Sequence, residues 1–352
     1  MNLFTPLRLR DVELKNRIIV SPMCEYSAND GHPNSWHLVH LGSRAVGGSA
    51  LVMTEATGVQ AAGRISPSDT GIYLDSHVDA WKPIVEFIHG QGALAGMQLA
   101  HAGRKGSTAE PWHGGKAVMP HAGGWIPVAP SAVPFADGYP APRELSPTEI
   151  DEIVSDFETA AQRALRAGFQ VVEVHAAHGY LLHEFYSPLA NLRTDEYGGS
   201  FDKRIRLLLR VVDAVRLVWP RTLPVFVRIS ATDWKEGGWD LAQSVELCRR
   251  LKQAGVDLVD VSSGGNVAGA SIPVGPGYQV EFASSIRRDA KIPTGAVGMI
   301  TDPVQADTII RTGQADAVFL ARELLRDPYW PRRAADELGV KIKAPVQYER
   351  AW

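Results

Sequence analysis

The chain is poor in several features that would each announce a function. Only two cysteines occur, Cys24 and Cys248, far apart and in no metal-ligand spacing. Two thiols cannot build a four-thiolate iron–sulfur cluster, and so low a count suits a reducing cytoplasm better than a disulfide scaffold. No stretch approaches the roughly 20 apolar residues of a membrane span. The opening Met1-Asn2-Leu3-Phe4-Thr5-Pro6 lacks a charged segment followed by an apolar run, so no secretory signal is expected. Neither sign of charge dominates: 36 Lys and Arg stand against 39 Asp and Glu, without a basic run. That speaks against nucleic acid or an anionic membrane as the main partner. No Gly-x-Gly-x-x-Gly turn follows a strand, so a doubly wound dinucleotide-binding sheet, the second choice of fold, lacks its marker.

What is present is a repeating unit: a helical stretch, a Gly, then a short apolar run rich in β-branched residues. It appears as Gly47-Gly48 before Leu51-Val52-Met53, Gly92 before Leu94–Gln98, Gly168 before Val171–Val174, Gly255 before Leu258–Val261 and Gly313 before Ala317–Leu320. Such a Gly ends a helix in a left-handed cap, and the run after it is a strand buried on both faces. With Arg17–Ser21, Val225–Ile229 and Pro293–Val297 the count is eight strands separated by helices. Eight β/α units within 352 residues predict one closed parallel (β/α)8 TIM barrel spanning 1–352. Ser146-Pro147-Thr148-Glu149 reads as an N-cap, a Pro in the first turn and a capping-box Glu, while Asp302-Pro303 and Asp240-Leu241 open later helices. Leu7–Leu9 and Val12–Leu14 read as a hairpin within an N-terminal segment, 1–16, that plugs the barrel floor. Residues 103–146 have no period and are rich in Gly, Pro and Trp, a lid excursion between the third strand and third helix. Residues 340–352 form a C-terminal tail.

Barrel active sites lie at the C-terminal ends of the strands. Those positions hold Pro22-Met23-Cys24, Glu55-Ala56, Gln98 with His101, His175 with His178, Arg228, Ser262-Ser263, Gly298 and Ala321-Arg322. The set has hydrogen-bonding groups and cations, without the paired carboxylates of glycoside hydrolysis or a strand-end Lys for Schiff-base chemistry. It suits an anionic, aromatic ligand. Gly298 and Arg322 follow strands seven and eight, the usual phosphate corner of this fold. His175-x-x-His178 also reads as half a metal site, which would make a metal-dependent hydrolase or lyase the rival function; the sequence offers no third ligand. Taken alone, Arg228 fits a structural ion pair equally well, and Cys24 an inert buried thiol.

These motifs resemble the old yellow enzyme family of FMN-dependent ene-reductases, nearest the subgroup of thermophilic-like and xenobiotic reductases. The likeness spans essentially the whole chain. It rests on Asn16-Arg17-Ile18 leading to Ser21-Pro22-Met23-Cys24, Glu55-Ala56-Thr57-Gly58, Gln98-Leu99-Ala100-His101-Ala102-Gly103-Arg104-Lys105, His175-Ala176-Ala177-His178-Gly179-Tyr180, Arg193-Thr194-Asp195-Glu196-Tyr197-Gly198-Gly199 and the end Gln347-Tyr348-Glu349-Arg350-Ala351-Trp352. The resemblance implies tight, noncovalent FMN. Ser21, Pro22, Met23, Cys24 and Ala56 would border the flavin, Gln98 its pyrimidine edge and Arg228 its N1–O2 region, with the phosphate on Gly298, Ala321 and Arg322. His175 and His178 would bind the substrate oxygen, Tyr26 and Lys105 line its pocket, Tyr180 donate a proton and Cys24 tune the flavin. It further implies NADPH as reductant, and enones, maleimides, quinones or nitro compounds as substrates. A homodimer or tetramer is implied too, with Arg350 entering the neighbour's site. Glu25, after Cys24, and Ala351, before the final Trp, depart from the family pattern.

Overall fold

A computed structural model describes residues 2–352. Its eight parallel strands are β1 (Ile18–Val20), β2 (Leu51–Gly58), β3 (Leu94–Ala100), β4 (Val171–Ala176), β5 (Val225–Ser230), β6 (Leu258–Ser262), β7 (Thr294–Val297) and β8 (Ala317–Leu320). Each pairs with its neighbours in sequence, and β8 pairs with β1 to close the barrel. The outer ring contains α1 (Ser35–Val46), α2 (Asp75–Gly90), α3 (Pro147–Arg166), α4 (Arg206–Val218), α5 (Leu241–Gln253), α6 (Val280–Ala290), α7 (Pro303–Arg311) and α8 (Trp330–Glu337).

The local signals act as expected. Gly48, Gly92, Gly168, Gly255 and Gly313 all have positive φ, between 67° and 102°, and turn the chain from helix into strand. At the start of α3, Ser146 Oγ accepts from the Glu149 amide and the Glu149 carboxylate accepts from the Ser146 amide, a closed capping box. Asp240 and Asp302 cap α5 and α7 through the amides of Gln243 and Gln305. Strand β2 is irregular between Met53 and Ala56, which re-aims Ala56 to pair with Gln98.

Side-chain alternation divides the barrel interior into a dry floor and a polar mouth. At the N-terminal ends, Ile19, Leu51, Met53, Val171, Phe226, Leu258 and Phe319 form one apolar cluster with Leu7, Leu9, Val12 and Leu14 of the antiparallel hairpin. The hairpin thus closes the floor. One layer higher the interior becomes polar and ionisable: Gln98, Glu173, Arg228 and Asp260 are all buried. Reading the runs around Glu173 and Asp260 as purely apolar therefore needs correction: the faces toward the helices are apolar, while these two carboxylates face inward with Arg228.

The lid is tied down at its base. Arg104 Nη2 donates to Asn266 O and Oδ1 at 2.7 and 2.9 Å, and the Arg104 amide donates to Glu184 Oε1. Farther out, Trp112 meets the Tyr26 ring edge-on at 5.8 Å, so the lid reaches back over the first strand end. The tail packs back on the chain. Trp352 stacks on the Arg332 guanidinium at 4.1 Å and contacts Tyr329 and Tyr348, so its aromatics do find packing within the chain. Arg350 is exposed.

Candidate active site

The mouth is built on strained turns. His178 has φ +59°, a left-handed conformation that a side chain ordinarily avoids and that marks functional turns. It is held there from several sides. The His178 amide donates to Ser230 Oγ at 2.9 Å, Lys105 Nζ donates to His178 O at 2.9 Å, and the Gly265 backbone lies so close that a Cβ would sit 2.6 Å from His178 Cα. Lys105 Nζ also donates to Gly265 O and lies 5.0 Å from the centre of the Tyr180 ring, so one ammonium joins β3 to the turns after β4 and β6.

His175 and His178 face each other edge-on, ring centres 5.2 Å apart, and Tyr180 lies 5.0 Å from His175. His175 Nδ1 accepts the Ala177 amide at 3.2 Å, which places the ring proton on Nε2 and makes that atom a donor. His178 differs from the expectation of a free donor. Its Nε2 is 2.8 Å from Ser262 Oγ, and engaging a ligand through that atom means sharing or exchanging this bond. Burial and the nearby Arg228 hold both imidazoles well below their ordinary pKa, so both are neutral. Burial likewise raises Tyr180, which keeps its proton.

Around the first strand end, the Cys24 thiol lies close to the Ala56 backbone and to Tyr26. Burial, then the carboxylates of Asp69, Glu55 and Glu25, pushes Cys24 well above an ordinary thiol. A thiol held protonated is a poor nucleophile. Glu25 points away toward α1, accepting from Trp36 Nε1 at 2.8 Å and lying 3.3 Å from His40 Nε2. Glu55 pairs with His37 at 3.0 Å, and His101 bonds Gln60; these two strand-end residues serve the scaffold. A cavity of about 920 Å³ opens between Tyr26, Lys105, Tyr180 and the lid residues Lys116 and Tyr139.

The ionisable layer below offers a complementary edge. Gln98 Nε2 donates to Glu173 Oε1 at 2.8 Å, which leaves Gln98 Oε1 as an acceptor. Arg228 Nε lies 2.9 Å from Asp260 Oδ2, close enough for charge pairing but not aligned for a hydrogen bond. Ser21 Oγ, Glu173 Oε2, Arg228 Nε and both Asp260 oxygens are buried without hydrogen-bond partners among the described residues. Burial raises Glu173 to about 8, with Asp260 adding to it, and raises Asp260 to about 6. Glu173 and Asp260 were missed in the sequence; the available signal was a carboxylate at the inward parity of a strand beside Arg228.

The Gln98 acceptor in one layer with the Arg228 guanidinium, whose Nε makes no aligned hydrogen bond, suits the pyrimidine edge of a flavin, which alternates carbonyl oxygens with an N–H. The phosphate corner fits too. Gly298 has φ +119°, and a Cβ there would lie 2.7 Å from Gln279 Nε2, so only glycine keeps that backbone open. Tyr278 feels the charges of both Arg322 and Arg228, so the corner and the ring-edge layer converge on one side chain. Ala321 and the exposed Arg322 begin a short helix on the other side. Ser21, Pro22 and Met23 border the mouth, Ser21 bonded to β8 through Leu320 O. Among the described residues no group of three or more His, Cys, Asp or Glu is arranged to hold a metal ion, and the comparisons below give the metal-hydrolase reading no support.

Fold and site together define a flavin-binding barrel oxidoreductase. The profile of the NADH:flavin oxidoreductase / NADH oxidase family matches residues 2–340. An NADPH dehydrogenase of Geobacillus thermodenitrificans (strain NG80-2) is 51% identical over 352 residues, 99% of this chain and 98% of its own. Among solved structures, morphinone reductase with tetrahydroNAD has a TM-score of 0.80 and 31% identity, covering 98% of this chain and 93% of that one. An old yellow enzyme homologue from Zymomonas mobilis gives 0.81 and 29%, covering 99% and 96%. The chain belongs to the NADH:flavin oxidoreductase / NADH oxidase family, with the old yellow enzymes, and is an oxidoreductase with FMN as its cofactor.

Proposed function

We propose that the protein reduces activated C=C bonds of α,β-unsaturated carbonyl compounds, with maleimides, quinones and nitro compounds as further acceptors, using NADPH in a ping-pong cycle. The observation that carries this reading is a pair of neutral histidines beside a protonated tyrosine, at the mouth above the Gln98–Arg228 edge. When bound, FMN would supply the hydride-transfer chemistry between NADPH and the substrate. His175 Nε2–H, with His178, donates to the substrate's carbonyl or nitro oxygen and stabilises the charge that develops there. Tyr180 delivers a proton to the α-carbon. Arg228 places positive charge at the pyrimidine end, while Cys24 tunes the flavin without forming a bond to substrate. Gly298, Ala321 and Arg322 take the phosphate, and Tyr26 and Lys105 line the substrate cavity.

The enzyme acts in the cytoplasm, consistent with its two free thiols. It assembles as a homodimer or tetramer in which the exposed Arg350 enters the neighbour's substrate pocket. The deciding experiment is anaerobic: NADPH should bleach the bound FMN, and an enone should restore its colour. Failure to bleach, or FMN absent after reconstitution, overturns the reading.

A further inference from the structure

At the opposite end of the barrel a second cavity has no part in this chemistry. It measures about 710 Å³ and lies beside the floor, between the approaches to β1, β2 and β3, the C-terminal end of α2 and the tail. Its cationic lining is Lys15, Arg332, Lys341 and Lys343, and no Asp or Glu is among its described lining residues. In a chain with net charge −3, four cations around one cavity without a carboxylate are a local excess that the composition does not supply.

Two of these charges are poorly compensated. Arg332 is 7% exposed, yet no carboxylate oxygen among the described residues lies within 4 Å, and Asp336 acts on it only from farther away; it donates to Val46 O and Lys343 O and meets the Trp352 face. A buried guanidinium ordinarily pairs with an anion, because desolvation is otherwise left unpaid. Lys15 presents an exposed side chain at the same cavity, and its closest polar contact is Gln91 O at a long 3.5 Å. That contact caps the end of α2 and explains part of the position of Lys15, but it leaves the ammonium's charge unneutralised. His89 Nε2 is a third group there, buried without a hydrogen-bond partner among the described residues. Asn16, Gln91 and Gln347 also line the cavity, and Phe4, Val46, Val340 and Ile342 form its apolar part.

We propose that this floor cavity is a binding site for a small amphipathic anion: a carboxylate, or a comparable oxyanion, carrying a short apolar body. The charged end sits between Lys15 and Arg332, with His89 as a further polar contact, and the apolar body lies against Phe4, Val46 and Ile342. Because residues 340–347 line the cavity and Trp352 rests on Arg332, a bound anion also fastens the tail.

Octanoate and octan-1-ol separate the charge from the apolar body. Calorimetric titration of the FMN-loaded protein should show one octanoate per chain, with octanol about tenfold weaker or worse. Binding of octanoate should weaken as salt is raised, and Lys15→Gln should weaken it about tenfold with the flavin spectrum and NADPH turnover unchanged. Lys343→Gln, at an exposed position, should weaken it in the same direction if Lys15→Gln fails to fold. Equal affinity for octanol, insensitivity to salt, no effect of the folded lysine variants, or an octanoate-induced change in the flavin spectrum would each overturn the site.

Discussion

The floor and the mouth of this barrel are made from the same strands and solve opposite problems. At the floor, hairpin and strand ends bury Leu7, Leu9, Val12, Leu14, Phe226 and Phe319 in one dry cluster. At the mouth, the loops after five strands each carry a non-glycine residue in left-handed conformation: Tyr26, Ser107, His178, Trp234 and Met299. Just below them, the interior holds ionisable groups with unmatched hydrogen bonds. Close packing at one end supplies the stability that strain and desolvated charge spend at the other. The difference predicts that a substitution at the floor moves stability more than chemistry, and one at the mouth does the reverse.

The largest effect is expected at the floor. Leu14 is fully buried, and Leu14→Ala should cost about 2–5 kcal/mol through lost burial and the cavity left behind. Flavin absorbance and turnover per folded molecule should stay near wild type. Denaturant titration read beside the flavin spectrum checks this, and a lost flavin environment at unchanged stability would break the contrast.

At the mouth, His175→Ala should slow the oxidative half-reaction by about 10²-fold or more, with FMN content and melting temperature little changed. Stopped-flow mixing of reduced enzyme with an enone gives the rate directly. His178→Ala should act in the same direction but less, because His178 Nε2 already spends its bond on Ser262. Tyr180→Phe should slow alkene reduction more than quinone reduction, since a quinone takes its proton on oxygen from solvent. Equal enone rates in both histidine variants and the wild type would remove the donors from the mechanism.

Legibility in the sequence follows the same division. The eight strands, hairpin and helix caps were readable because each rests on a local rule: a left-handed Gly, a capping box, an apolar run of strand length. The strand-end positions of Gln98, Arg228, His175 and His178 were readable from the strand pattern, but position alone does not separate site from scaffold: Glu55 and His101 also end strands and are engaged by His37 and Gln60. Glu173 and Asp260 were hidden inside runs that look apolar, and only their inward parity in the folded sheet joins them to Arg228. The packing of Trp352 on Arg332 was hidden because it links residues brought together by the closing helix, not by any local pattern.

The last test asks whether the buried ionisable layer is a cost that the rest of the fold carries. Glu173 is raised to about 8 by burial and then by Asp260, against about 4.5 in an unfolded chain. The sign follows from linkage. Below 4.5 both states hold the proton and the group contributes no difference. As pH rises from 4.5 to 8 the unfolded chain releases the proton readily while the folded one resists, so the fold loses stability across that window. Glu173→Gln keeps an acceptor for Gln98 Nε2 and cannot ionise, so its stability should fall less between pH 5 and pH 8 than that of the wild type. The variant should also change the flavin's reduction potential, because the carboxylate orients Gln98 and Glu173 interacts electrostatically with Arg228. Urea titrations at the two pH values, with a potentiometric titration of the flavin, read both effects. If wild type and variant lose equal stability over that range, Glu173 is not the buried acid that opposes folding, and the polar layer is less costly than its orphaned atoms imply.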